Sequence, residues 1–167
     1  MSGKATESGV HLRAIDRSNV RDVINLSVSD AQDDFVAPNV ISLAEAYAAD
    51  RVWVRAIYDD DIPVGFLMLS DDDVEPRYYL WRFMIDERYQ GRGYGAVAMR
   101  LLHEYVRSRP SGDEILVSYV REDGGPEAFY KGLGYVDTGD VSHSRHNRHA
   151  QYEAVLDLRV DIEGLRG

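Results

Sequence analysis

Two short stretches of this chain carry residues that could do chemistry. The first is Gln90-Gly91-Arg92-Gly93-Tyr94-Gly95. Glycines spaced in this way let a backbone come close to a ligand and adopt dihedrals that other residues resist. A helix is expected to open at Gly93, and the free N–H groups of a helix start attract an anion. With Arg92 nearby, a pyrophosphate would be held there, although a plain turn joining strand to helix reads the same way. The pattern is not a dinucleotide fingerprint, which wants G-x-G-x-x-G early in a βαβ unit and an acidic residue about 20 positions on. Nor is it a Walker loop, because no Gly-Lys-Ser/Thr follows. The second stretch is Phe129-Tyr130-Lys131-Gly132-Leu133-Gly134-Tyr135, which offers a phenol.

Both stretches need elements to position them. Val10 to Ile15 alternates as a strand. A helix follows, capped by Asp16 or Ser18, with Val20, Val23, Ile24 and Leu26 on one face. A second helix is expected over Ser42 to Ala49, with Glu45 completing a capping box. Val52 to Tyr58 and Val64 to Leu69 form an antiparallel hairpin about Asp59-Asp60-Asp61, and Asp71-Asp72-Asp73 a loop. Tyr78 to Ile85 is a central strand leading into the glycines. The helix from Gly93 to about Ser108 buries Val97, Leu101, Leu102 and Tyr105. A strand over Glu114 to Val120, a short helix over Pro126 to Leu133 with Gly134 as C-cap, and closing strands over Tyr135 to Asp140 and Gln151 to Val160 complete the order.

The composition narrows the classes. At 167 residues the chain suits one domain, expected over 10–160, between a disordered segment 1–9 and a tail 161–167. There is no cysteine, so disulfides, thiolate metal sites and a cysteine nucleophile are excluded. The net charge of −10, without a basic face, argues against nucleic acid. It suits a cationic small molecule, or solubility alone. No apolar run is long enough to span a bilayer, and the start lacks a basic-then-apolar leader, so no membrane partner and a cytoplasmic location are expected.

Taken together, the two motifs and the element order resemble the GNAT superfamily of N-acetyltransferases over roughly Val10 to Val160. Gln90, Gly93 and Gly95 match its Q/R-x-x-G-x-G/A loop, and Phe129, Tyr130, Leu133, Gly134 and Tyr135 its F-Y-x-x-L-G-F/Y segment. The resemblance implies an α/β fold with a mixed, mostly antiparallel sheet of six or seven strands flanked by four helices. It also implies acetyl-CoA as co-substrate, direct transfer to an amine, and a possible homodimer. The CoA pyrophosphate would lie on the backbone of Gln90, Gly91, Arg92, Gly93, Tyr94, Gly95 and Ala96. Phe83, Met84 and Ile85, at the splayed end of the central strand, would flank the thioester, where a backbone N–H would stabilise the oxyanion. Tyr130 would protonate the departing thiolate, or else simply pack on its helix.

The general base is not legible. Trp81 stands where many relatives carry a glutamate, and Asp71 to Asp73, Glu75 and Asp86 are the acids nearby. Gly-Pro-Glu-x-Phe-Tyr at 125–130, Gln32 to Asn39 and Arg82 to Asp86 are similar to the bacterial diamine and spermine/spermidine acetyltransferase branch. That points to a polyamine or diamine acceptor held by Asp30, Asp33 and Asp34, with Asn39 giving a directional hydrogen bond or serving as a turn residue after Pro38. An aminoglycoside-like antibiotic, a protein N-terminus, or a non-catalytic acyl-CoA-binding sensor are the rival readings. His143, His146 and His149 alternate with Arg145 and Arg148, which would repel a metal, so no metal is expected and the segment reads as a loop.

Overall fold

The computed structural model describes residues 9–72, 77–143 and 149–160. The expected flanking segments 1–9 and 161–167 lie outside these, apart from Gly9, and the last strand ends at Asp157, short of the expected Val160. Among the described residues one seven-stranded sheet forms, in the order β1-β2-β3-β4-β5-β7-β6. Its strands are β1 (Val10–Arg13), β2 (Val52–Asp59), β3 (Ile62–Asp72), β4 (Arg77–Ile85), β5 (Glu114–Val120), β6 (Val136–His143) and β7 (Ala150–Asp157). Among the described residues four helices cover it: α1 (Val20–Ile24), α2 (Asn39–Ala48), α3 (Tyr94–Arg107) and α4 (Glu127–Gly132). The α/β class, mixed sheet and four helices agree with the sequence reading.

Every neighbouring pair is antiparallel except β4 and β5. That parallel pair has only three rungs, Tyr78, Leu80 and the residue between them against Ile115 to Val117. Beyond Leu80 the two strands part. β5 continues against β7 as far as Val120, whereas β4 continues against β3 as far as Ile85. A bulge helps: Leu69 faces Leu80 while Met68 faces Arg82, so Trp81 is the extra residue and bends β4. The sheet is therefore split in its middle.

Each face of the sheet has its own core. Leu67, Leu69, Tyr78, Leu80, Val117 and Tyr119 pack under α3 and α4. Ala56, Tyr58, Phe66, Met68 and Met84 pack under α1 and α2 with Val23 and Leu26. Alternation along β3 explains this division, since successive side chains point to opposite faces.

Local expectations for α1, α2 and α3 are corrected. α1 is shorter than its periodicity suggests, and Ile24 is exposed rather than sharing the buried face of Val23 and Leu26. Asn19, not Asp16 or Ser18, is its N-cap residue. α2 begins at Asn39 instead of Ser42, and Ser42 sits buried one turn inside, its hydroxyl donating to the Pro38 carbonyl at 3.4 Å. Glu45 makes no capping box; it takes the Arg82 guanidinium at 2.9 Å. Along α3 the deepest stripe is Ala98, Met99, Leu102, His103 and Val106, with Val97, Leu101 and Tyr105 at its half-buried margins.

Candidate active site

The cleft opened by the parting of β4 and β5 collects most of the residues singled out by sequence. At its mouth the chain leaves β4, passes a short 3-10 turn (Glu87–Tyr89) and enters the glycine loop. Gly91 and Gly93 both have positive φ, 72° and 90°, conformations that glycine tolerates best. Gly93 is the N-cap of α3, so the amides of the first turn are directed out of the helix start. Gly95 is needed for a different reason. A Cβ there would lie 3.2 Å from the Phe129 ring, so its absence lets α4 close on α3.

Gln90 secures the loop from below. Its side-chain amide donates to the Ile85 carbonyl and to Gln32 Oε1, both at 2.9 Å. Arg92 lies 5.7 Å over the Tyr89 ring. The Tyr94 side chain turns away from the loop and donates to Asp59 at 2.6 Å, so only its backbone borders the helix start. Ala96 is exposed on the first turn. Such a loop, with open amides, glycine backbone and an arginine, suits a phosphate-bearing ligand.

At the splayed end of β4, Phe83 stacks on Phe129 of α4 with centroids 5.8 Å apart and planes within 9°. The two rings wall the cleft on the α3 side. Ile85 is on the same side, whereas the Met84 side chain is buried beneath α1 and α2. Tyr130 lies next to this wall and is 5% exposed. Burial above all, and then neighbouring Tyr79, push its phenol well above the ordinary value, so it keeps its proton throughout the physiological range.

The acid residues that bordered the motif separate cleanly. Asp71 pairs with Tyr78 at the closed end of the sheet and accepts the Tyr105 hydroxyl at 2.8 Å, remote from the cleft. Asp86 is 1% exposed. It accepts from the Ser27 N–H at 3.0 Å and the Arg88 N–H at 3.0 Å, and the Arg88 guanidinium reaches it at 2.7 and 3.1 Å. Burial would raise its carboxyl, but these donors outweigh burial and hold it below the ordinary range. A carboxylate so fully engaged is a brace, not a base. Asp73 and Glu75 lie outside the described residues.

The acceptor-side candidates are brought together only in part. Asp30, Asp33 and Asp34 are exposed on the turn that begins with the 3-10 segment Asp30–Gln32. Gln32 ties that turn to the glycine loop through Gln90. Asn39 does not join them. It is 3% exposed, and its amide donates to the Val23 carbonyl at 2.9 Å, stitching α2 to α1. His143 is exposed on β6, and His149 lies 3.2 Å from Glu122 with Phe35 edge-on to its ring at 6.2 Å. His146 is outside the described residues. Among the described residues no three His, Cys, Asp or Glu side chains converge as a metal cage.

Around Tyr130 the structure adds Tyr119 to Phe129 and Tyr135 of its own segment, and the sequence did not single Tyr119 out. The signal for Tyr119 was available, because it shares the period-two face of Ile115 and Val117.

Residues 20–135, which span the split strand, the glycine loop and α4, match the model of the acetyltransferase (GNAT) family. The chain belongs to the GNAT family of acetyltransferases. It is thus an N-acetyltransferase by family. It is 24% identical over 138 residues to the spermine/spermidine N(1)-acetyltransferase of Bacillus subtilis, covering 79% of this chain and 91% of that one. Among solved structures, the spermidine N-acetyltransferase of Vibrio cholerae in complex with CoA and spermine superposes with a TM-score of 0.67 at 16% identity. That match covers 91% of this chain and 97% of the other. A ribosomal L7/L12 alpha-N-protein acetyltransferase in complex with coenzyme A gives 0.71 at 13% identity, covering 92% and 97%. These structural likenesses establish the fold of the GNAT enzyme.

Proposed function

We propose that this GNAT enzyme transfers the acetyl group of acetyl-CoA directly to a primary amine of a small cationic acceptor, a polyamine or diamine. The observation that carries the acetyl-CoA half is the parting of β4 from β5 after three rungs. Among the described residues, it leaves the backbone of Phe83 to Ile85 without a strand partner on one flank, next to the glycine loop. An extended pantetheine arm would pair there while the pyrophosphate rests on the amides from Gln90 to Ala96. Acetyl-CoA supplies the activated acyl group.

The chain's own residues do the rest. A backbone N–H at the open end of β4 would donate to the developing oxyanion. Tyr130, kept protonated by burial, would deliver its proton to the leaving sulfur. With no cysteine in the chain, direct transfer is the simplest route.

The acceptor half rests on charge. Asp30, Asp33 and Asp34 form an exposed acidic turn beside the glycine loop, suited to a second ammonium of the acceptor while the first attacks. The curated relative of Bacillus subtilis is named for spermine and spermidine, which favours this reading over an antibiotic or a protein N-terminus. The test is CoA release from acetyl-CoA, followed with a thiol reagent, across spermidine, spermine, putrescine, an aminoglycoside and a peptide amine. Turnover confined to the polyamines supports the proposal. Turnover with the peptide or antibiotic alone, or with none, overturns it.

A further inference from the structure

Tyr130 is enclosed by rings, and two of them are themselves tied down by their hydroxyl groups. Tyr119 of β5 stacks on Tyr130 with centroids 5.7 Å apart and planes at 18°. Its hydroxyl donates to Asp137 Oδ1 at 2.6 Å. Asp137 is in turn fixed by Arg121 and lies 3.8 Å from Lys131. Tyr135, just past α4, meets Tyr130 edge-on at 5.5 Å and 71°. Its hydroxyl is 2.9 Å from His103 Nε2.

His103 is a buried imidazole on the inner stripe of α3. Burial first, and then Arg107, bring it down to about 4, so it is neutral at physiological pH. Tyr135 is pushed far up by burial and keeps its proton. The consistent assignment has Tyr135 donating to Nε2, with the imidazole proton on Nδ1. Both flanking hydroxyls thus point their protons away from Tyr130. Among the described residues, no group hydrogen-bonds the Tyr130 hydroxyl, so its orientation depends on the rings that hold it.

We propose that His103 and Asp137 are positioning residues for Tyr130: each anchors a tyrosine whose ring packs on it, so that its phenol keeps one orientation towards the cleft. The inference rests on the reading of Tyr130 as the proton donor. Neither anchor touches substrate, and each acts through one intervening ring.

The test uses three matched hydroxyl deletions. Tyr119→Phe and Tyr135→Phe keep both rings and remove the anchors. Tyr105→Phe removes a comparable bond to Asp71 at the closed end of the sheet and serves as control. We expect the first two each to lower kcat with spermidine by about fivefold, because the proton donor is no longer aligned. The acetyl-CoA Kd should stay within about twofold, which separates positioning from loss of binding. Tyr105→Phe should leave kcat unchanged at a similar loss of melting temperature. His103→Gln, which keeps an acceptor, should recover most of the kcat lost in His103→Leu. Unchanged kcat in both anchor variants overturns the proposal. If the wild-type chain acetylates no amine, the functional reading fails, and the anchors are then judged from Tyr130 itself in 13C-tyrosine-labelled protein. A ring flip faster in both anchor variants than in Tyr105→Phe supports the anchoring; equal flip rates overturn it.

Discussion

The glycine loop with α3 and α4, and the turn carrying Asp30 to Phe35 beside it, are held by different means. The first is fixed by backbone geometry and a continuous apolar core: two glycines of positive φ, a third that admits the Phe129 ring, and a helix with six buried positions. Among the described residues, the second reaches a core only through the flanking, half-buried Val28 and Val36. It hangs from Gln32 on Gln90, and from the brace of Asp86 to Ser27. A side built of backbone can recognise what every family member shares, since amides are present whatever the side chains. A side built of exposed side chains on irregular chain can change its partner by substitution without disturbing the sheet.

That contrast can be broken or sharpened by experiment. The largest effect should come from acid, on the core-anchored side. An unfolded chain protonates His103 near 6.5 and the folded one only near 4. Stability from its burial is complete above 6.5 and is lost as pH falls towards 4, by roughly 3 kcal/mol. Chemical unfolding across that window should show the slope, and His103→Gln should flatten it. An identical slope in the variant would mean that other groups carry the acid sensitivity.

Next comes chemistry. Tyr130→Phe should lower kcat by about 100-fold while acetyl-CoA binding by calorimetry stays the same. A comparable loss of binding would make Tyr130 a packing residue. Gly93→Val forces a β-branched residue to φ 90°. It should weaken acetyl-CoA by about tenfold, with the spermidine KM little altered, since left-handed backbone costs an ordinary residue about 1–2 kcal/mol. The smallest effect belongs to the acceptor turn. Replacing Asp30, Asp33 and Asp34 together by Asn should raise the spermidine KM by about fivefold, and less at high salt, because exposed charges are screened. If that triple change raised the acetyl-CoA Kd instead, the two sides would not be separate.

The same difference explains what could be read from the sequence. The glycine turn at the start of α3, the helix that carries Tyr130, the central strand and the order of helices were legible because glycine spacing and apolar periodicity are local properties. The start of α2 was not. Ser42 and Glu45 satisfy a capping rule, yet Asn39 binds the Val23 carbonyl and Arg82 takes Glu45, and these tertiary partners decide the boundary. For the same reason Asn39 looked like an acceptor-side donor and is instead a stitch in the core. His103 gave no sign of its role, because burial of one imidazole depends on a tyrosine 32 residues away. Asp86 could not be told from the other acids near the loop, because Ser27, which joins Arg88 on it, is brought in only by the fold.

The three-rung seam has a consequence on the time axis. Among the described residues, β4 beyond Leu80 keeps a partner on the β3 flank only. Its amides that face away from β3 have no ladder to shield them, whereas those of Leu67 or Val117 lie deep within one. In deuterated solvent the open flank should trade its protons long before the sheet around it does. The cleft would then show up as a line of fast exchange drawn through an otherwise slow sheet. Anything that lies along it as a substitute strand should slow that line and little else.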